Sequence, residues 1–294
     1  MITEQGPGRA SPNSIVETDP SDTPAKVVAF LYGAVVYIGV WFMLIYILFF
    51  VGNFFNPLFG TRWDAVLPLK SIDSGEVGPF WPSFWVNIGL VVILGLQHSV
   101  MPRPWFKTWI TRLVPPHMER GVFIIFAVAA LSLLIWQWRP IPQLIWHVEN
   151  HTWRIILYCI QVFGWIMVLI ATFQVGHWKI FGVTQTLDFI RDRPYIKKTY
   201  PRLQPEFYEV GWPISSKGVW YYARHPDFFG FITAFWVTPT MTFGHLIFAV
   251  GLTTYIMFGI FFLETNLKQL YGKPFEEYVR TRSKIIPWFV KKAG

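Results

Sequence analysis

The stretch Trp220-Tyr221-Tyr222-Ala223-Arg224-His225-Pro226-Asp227-Phe228-Phe229-Gly230 joins a cation, an imidazole and three aromatic rings to a proline. After Pro226 the chain is almost wholly apolar as far as Leu263. Proline suits the first turn of a helix, where its missing N–H costs nothing. Arg224 and His225 are therefore expected at the mouth of a long apolar helical segment. Two readings of that mouth are open. Unpaired helix N–H groups beside a cation would suit an anionic ligand group. Equally, Arg224 could reach for lipid head groups while the tyrosines and Trp220 form an interfacial aromatic belt.

The apolar run behind this stretch is too long for one membrane span. Pro239-Thr240-Met241-Thr242 breaks it, which predicts two antiparallel helices over 228–237 and 243–263. The first is too short to cross unless it starts at Pro226 or earlier. Upstream, apolar runs predict spans over 27–51, 84–101, 121–138 and 155–175. Of the 294 residues 53% are hydrophobic and only 14% charged, against about 25% charged in soluble domains. The expected fold is an all-α integral membrane bundle of five or six transmembrane helices, with a C-terminal helical hairpin and a cytoplasmic cap.

Residues 1–25 read as a disordered tail, not a cleaved signal peptide. Residues 26–294 read as a single membrane domain, whose region 220–290 starts with the quoted stretch. The polar stretch 176–219 is long enough to be a functional cap. From Glu264 onwards the chain is amphipathic and basic, as expected of a surface helix near 272–284. Lys and Arg collect after the second and fourth spans and in the tail, so these regions and both termini are expected on the cytoplasmic side of the membrane. The formal charge of +8 is explained by orientation and lipid contact, not by nucleic acid. The single cysteine, Cys159, allows no intrachain disulfide. No zinc-ligand spacing, Gly-rich phosphate loop or nucleophile elbow is present, so no metal is expected.

The Arg224-His225-Pro226 stretch is followed by Leu263-Glu264-Thr265-Asn266-Leu267, then Leu270-Tyr271-Gly272-Lys273-Pro274-Phe275-Glu276-Glu277-Tyr278, then Ile286-Pro287-Trp288. This ordered pattern resembles the C-terminal signature of the isoprenylcysteine carboxyl methyltransferase superfamily. Further upstream, Leu96-Gln97-His98-Ser99-Val100-Met101-Pro102-Arg103-Pro104, Trp136-Gln137-Trp138-Arg139-Pro140 and 234–245 are similar to methanethiol S-methyltransferases, NnrU-like membrane proteins. The chain departs from the pattern at Leu263, where the superfamily has a first glutamate, and at Phe228, where it has a tyrosine.

The resemblance implies S-adenosylmethionine as methyl donor and a small thiol as acceptor. Arg224 and His225 at a helix N-terminus would meet the donor's carboxylate. Glu264, the acid at the end of the hairpin, would meet its amino group. Tyr221, Tyr222 and Trp288 could wall the adenine. Pro226 and Gly230 belong to the same donor-side signature. His98 lies inside a span, where a polar group is costly. It is the candidate base for the thiol, with hydrogen-bonded packing as the other reading. A haem-binding isomerase or redox protein, with His98 and His225 as ligands, is the alternative function.

Overall fold

The computed structural model describes residues 23–53, 70–192 and 218–286. Residues 1–22 of the expected tail, residues 193–217 of the polar stretch 176–219 and Trp288 fall outside them, while residues 23–25 of that tail open the first helix. Five helices are long and apolar enough to cross a membrane. These are α1 (Thr23–Gly52), α2 (Phe80–Val100), α4 (Glu119–Gln137), which continues a short 3-10 turn at Pro116–Met118, α5 (His151–Val175) and α9 (Phe243–Tyr271). Short helices fill the connections: α3 (Pro104–Ile110), α6 (His177–Ile180) and α7 (Val183–Ile190).

The segment opened by Pro226 forms α8 (Pro226–Trp236), with the proline at the start as expected. Its 11 residues span about 16 Å, roughly half the hydrocarbon thickness. It is thus not a sixth full span. The chain nevertheless crosses. Strand β1 (Leu144–His147), just ahead of α5, pairs antiparallel with β2 (Thr240–Thr242), just ahead of α9. Both long helices therefore start at the same end, and α8 with its extended exit completes the passage between them. Thr242 caps α9 by accepting from the His245 N–H, and its hydroxyl donates to Asp73 in the strap between α1 and α2.

The core lies between α1, α2, α4, α8 and α9, with Phe50, Trp138, Phe235 and Phe248 meeting edge to face. Lipid-facing positions carry the exposed Trp, Phe, Ile and Val side chains. Helix α8 lies against α5 with no side chain between them at one point. A Cβ at Gly230 would stand 2.6 Å from the Gly164 carbonyl oxygen, and one at Gly164 would stand 2.7 Å from that of Gly230. Gln161 ties the seam by donating to Ala234 O.

Helix α9 does not stop at Leu263 as the sequence pattern suggested. It runs on to Tyr271 and ends at Gly272, whose φ of +60° suits a residue without a side chain. Glu264, Thr265, Asn266 and Lys268 are tolerated in a helix, so polarity alone did not end it. The surface helix follows as α10 (Lys273–Thr281). It buries Phe275 and Tyr278 against Ala171, Trp220 and Leu267 and turns its charged residues outward.

The described part of the expected cap, α6 and α7, docks on the bundle. Arg120 donates to Ile180 O, Lys26 pairs with Asp192, and the Tyr37 hydroxyl meets His177 Nε2 at 3.1 Å.

Candidate functional site

The last turns of α9, the start of α8 and α10 converge on one carboxylate. Glu264 Oε1 accepts from Arg224 Nε at 2.8 Å and lies 2.9 Å from His225 Nε2. Arg224 is 5% exposed and His225 1%, so the cluster is withdrawn from water. Glu264 precedes the end of α9 by seven residues, about 10 Å at 1.5 Å per residue. The Glu264 side chain itself keeps 17% of its surface exposed, so the carboxylate stays open on one side.

Local sequence explains the convergence. Pro226 starts α8 and leaves His225 as its N-cap residue, so the two side chains before it project from a fixed helix mouth. The backbone is held as firmly. Arg224 N donates to Ser283 O and His225 N to Lys284 O, a parallel bridge that lays the segment after α10 beside 223–225. Arg224 Nη1 donates to Val279 O and to Arg282 O, the free carbonyls at the end of α10. The Tyr278 hydroxyl donates to Trp220 O. Burial pushes its pKa up, so the phenol keeps the proton it donates.

These contacts place the expected site residues. Arg224, His225, Pro226 and Glu264 come together. The Arg224 guanidinium, expected to face a ligand carboxylate, points instead at Glu264 and at two backbone carbonyls. The first turn of α8 disfavours an anion too, because it carries Asp227, whose buried Oδ1 has no hydrogen-bond partner among the described residues. Gly230 serves helix packing. Tyr222 is half exposed, and its carbonyl accepts from the Ser283 hydroxyl. Tyr221 packs edge-on to Tyr222 and has the Arg282 guanidinium 4.5 Å over its ring.

His98 is elsewhere. Its Nδ1 meets Leu94 O at 3.1 Å, and its ring packs edge-on to Phe123 and Tyr255. A carbonyl only accepts, so Nδ1 carries the proton and Nε2 of the neutral ring is an acceptor. Tyr255 precedes Glu264 by nine residues. That is two and a half turns, about 13 Å along α9 and on its opposite face.

Sequence reasoning missed Arg282. It counted only as one more base in the tail, and its placement depends on α10 folding back onto the 220–225 segment.

The geometry meets close relatives in sequence. The chain is 34% identical over 269 residues to a methanethiol S-methyltransferase of Crocosphaera subtropica, covering 92% of this chain and 95% of that one. It is 37% identical over 243 residues to the methanethiol S-methyltransferase of Mycobacterium tuberculosis, covering 83% and 93%. This chain belongs to the methanethiol S-methyltransferase family. It is an integral-membrane methyltransferase, and such an enzyme needs a methyl donor. A more distant likeness, 23% over 208 residues, links it to nurim of Bos taurus. No family model and no solved structure matches the chain.

In this methyltransferase the haem alternative finds no support. The two imidazoles it requires are not brought together, because His225 is bound to Glu264 while His98 lies on the far face of α9. Among the described residues no group of three or more His, Cys, Asp or Glu could hold a metal ion.

Proposed function

We propose that the enzyme transfers the methyl group of S-adenosylmethionine to a small thiol, methanethiol by likeness to its relatives, giving dimethyl sulfide. The observation that carries the donor assignment is Glu264. Both of its basic neighbours share Oε1, and Oε2 has no hydrogen-bond partner among the described residues. A partly exposed carboxylate oxygen left over beside two fixed donors can be reached by the ammonium group of an amino acid. Arg224 and His225 orient that carboxylate, and Tyr221 offers a ring wall.

The donor, when bound, supplies an electrophilic methyl on a sulfonium. Transfer breaks that S–CH3 bond, forms a new one on the thiol sulfur, and sends the thiol proton to a base. Charge is annihilated when a thiolate meets a sulfonium, so a dry chamber favours the step. Alignment of the two sulfurs supplies most of the rest. An apolar product leaves into lipid.

A second reading keeps His98 as the base, and its free Nε2 acceptor favours it. The donor methyl is five bonds from the amino nitrogen, about 6 Å at single bonds of about 1.5 Å. The thiol would then have to lie between that methyl and His98, whose ring neighbour Tyr255 is about 13 Å from Glu264 along α9. We place the basic end of the bundle in the cytoplasm of a bacterial inner membrane, where a water-soluble donor is available.

Calorimetry of S-adenosylmethionine binding to the detergent-solubilised enzyme tests the donor site. Glu264→Gln is expected to weaken binding about thirtyfold or more, as for a buried charged partner. Headspace detection of dimethyl sulfide from methanethiol should fall with it. Unchanged donor affinity in this variant would remove Glu264 from the site.

A further inference from the structure

One arginine near the cluster makes no charged contact among the described residues. Arg282 is the C-cap residue of α10. Its Nε is buried and has no hydrogen-bond partner among the described residues. Its Nη1 reaches only the carbonyl of its own neighbour, Thr281, at 3.3 Å. The guanidinium lies flat enough over Tyr221 to place its central carbon 4.5 Å from the ring centroid. A buried guanidinium N–H without an acceptor is costly, and its usual partner is a carboxylate or phosphate gripped by two parallel N–H bonds.

The position of Arg282 gives that vacancy a meaning. Arg224 donates through Nε to Glu264 and through Nη1 to the Arg282 carbonyl at 2.7 Å. Glu264 and the Arg282 backbone thus stand one guanidinium apart, on either side of a buried residue that cannot move freely. The carboxylate has a free Oε2, and the cation has a free Nε. An α-amino acid carries its ammonium and its carboxylate on one carbon, so its receptor must present an acid and a base at short, fixed separation. Arg224 already gives Nε and Nη1 to Glu264 and two backbone carbonyls, and the first turn of α8 carries the acidic Asp227.

We propose that Arg282 binds the carboxylate of the methyl donor's amino-acid end, with Glu264 taking the ammonium and Arg224 holding the two at their working distance. This rests on the donor assignment above. It moves the carboxylate contact from Arg224 to a residue in the C-terminal segment, so the donor and α10 hold each other in place. Arg224 is then a positioning residue.

The test uses two donors, S-adenosylmethionine and its decarboxylated analogue, which keeps the ammonium and sulfonium but lacks the carboxylate. Binding of each is measured by calorimetry on the full-length enzyme in detergent. The wild type is expected to prefer the intact donor by about thirtyfold or more. Arg282→Gln should lose that preference by weakening only the intact donor, and Arg282→Lys should restore part of it. Glu264→Gln should weaken both donors alike. The proposal is overturned if wild type binds the two donors equally, or if Arg282→Gln weakens both by the same factor. If Arg224→Lys removes the preference while Arg282→Gln keeps it, the carboxylate belongs to Arg224. Failure of the wild type to bind intact S-adenosylmethionine would instead sink the donor assignment itself.

Discussion

At the scale of single residues, two histidines that look alike in sequence have different surroundings. His225 precedes a proline, is almost fully buried, and shares Glu264 with Arg224. His98 is tied through Nδ1 to its own helix and touches two rings on another face. If the donor is anchored on Glu264, His98→Asn should leave donor affinity unchanged and turnover within about tenfold, because asparagine can still donate to Leu94 O. A fall in turnover of about 100-fold or more with donor affinity intact would mark His98 as the acid–base group. Separate measurements of donor binding and single-turnover methyl transfer distinguish the two. The cluster at Arg224, His225 and Glu264 was legible in the sequence because proline, imidazole and carboxylate stand out against apolar surroundings. The other two partners of Arg224 were not, because they are backbone carbonyls 55 and 58 residues away. Any residue there would present the same carbonyl.

At the scale of elements, the site depends on how closely α8 lies against α5. Gly230 is five residues from His225 on the same short helix, and its Cα faces the Gly164 carbonyl. A methyl group there meets backbone at 2.6 Å and Val168 Cγ2 at 2.9 Å, and backbone cannot swing aside. Gly230→Ala should therefore push α8 outward, destabilise the protein by roughly 1–3 kcal/mol, and weaken donor binding by shifting His225. Gly259 on α9 is the control, since nothing lies within 4 Å of a Cβ added there. Gly259→Ala should be neutral or slightly stabilising through helix propensity alone. Thermal unfolding in detergent, read beside donor affinity, checks both. Equal behaviour of the two variants would mean that the α5–α8 contact is not what fixes the site.

At the scale of the whole molecule, five full spans and one short helix bring the start of α1 and the end of α10 to the same end. That end also holds Arg103, Lys107, Arg120 and Lys179, whereas the opposite end has Lys70, Arg139 and Arg154. The charge bias predicts a cytoplasmic site. In a Cys159→Ala background, a cysteine at Glu149, exposed beside β1, should react with a membrane-impermeant maleimide in intact spheroplasts. A cysteine at Glu277, exposed on α10, should react only after permeabilisation. The reverse pattern would turn the molecule over and put the donor site on the wrong face.

The sequence by itself determined the membrane class, the spans to within a few residues, the hairpin break at Pro239 and the helix start at Pro226. Each of these follows from hydrophobicity and backbone restriction, which act locally along the chain. The tertiary structure alone decided how the short α8, already read as 228–237, still carries the chain across, because that passage ends where β2 meets β1. It decided that α9 continues through Glu264 to Gly272, since a helix packed on its neighbours carries polar residues past the apolar run. It also turned Arg224 inward and left Arg282 with a free buried N–H. Those outcomes are set by which backbone carbonyls α10 brings within reach when it folds back, and no side-chain pattern encodes the position of a carbonyl.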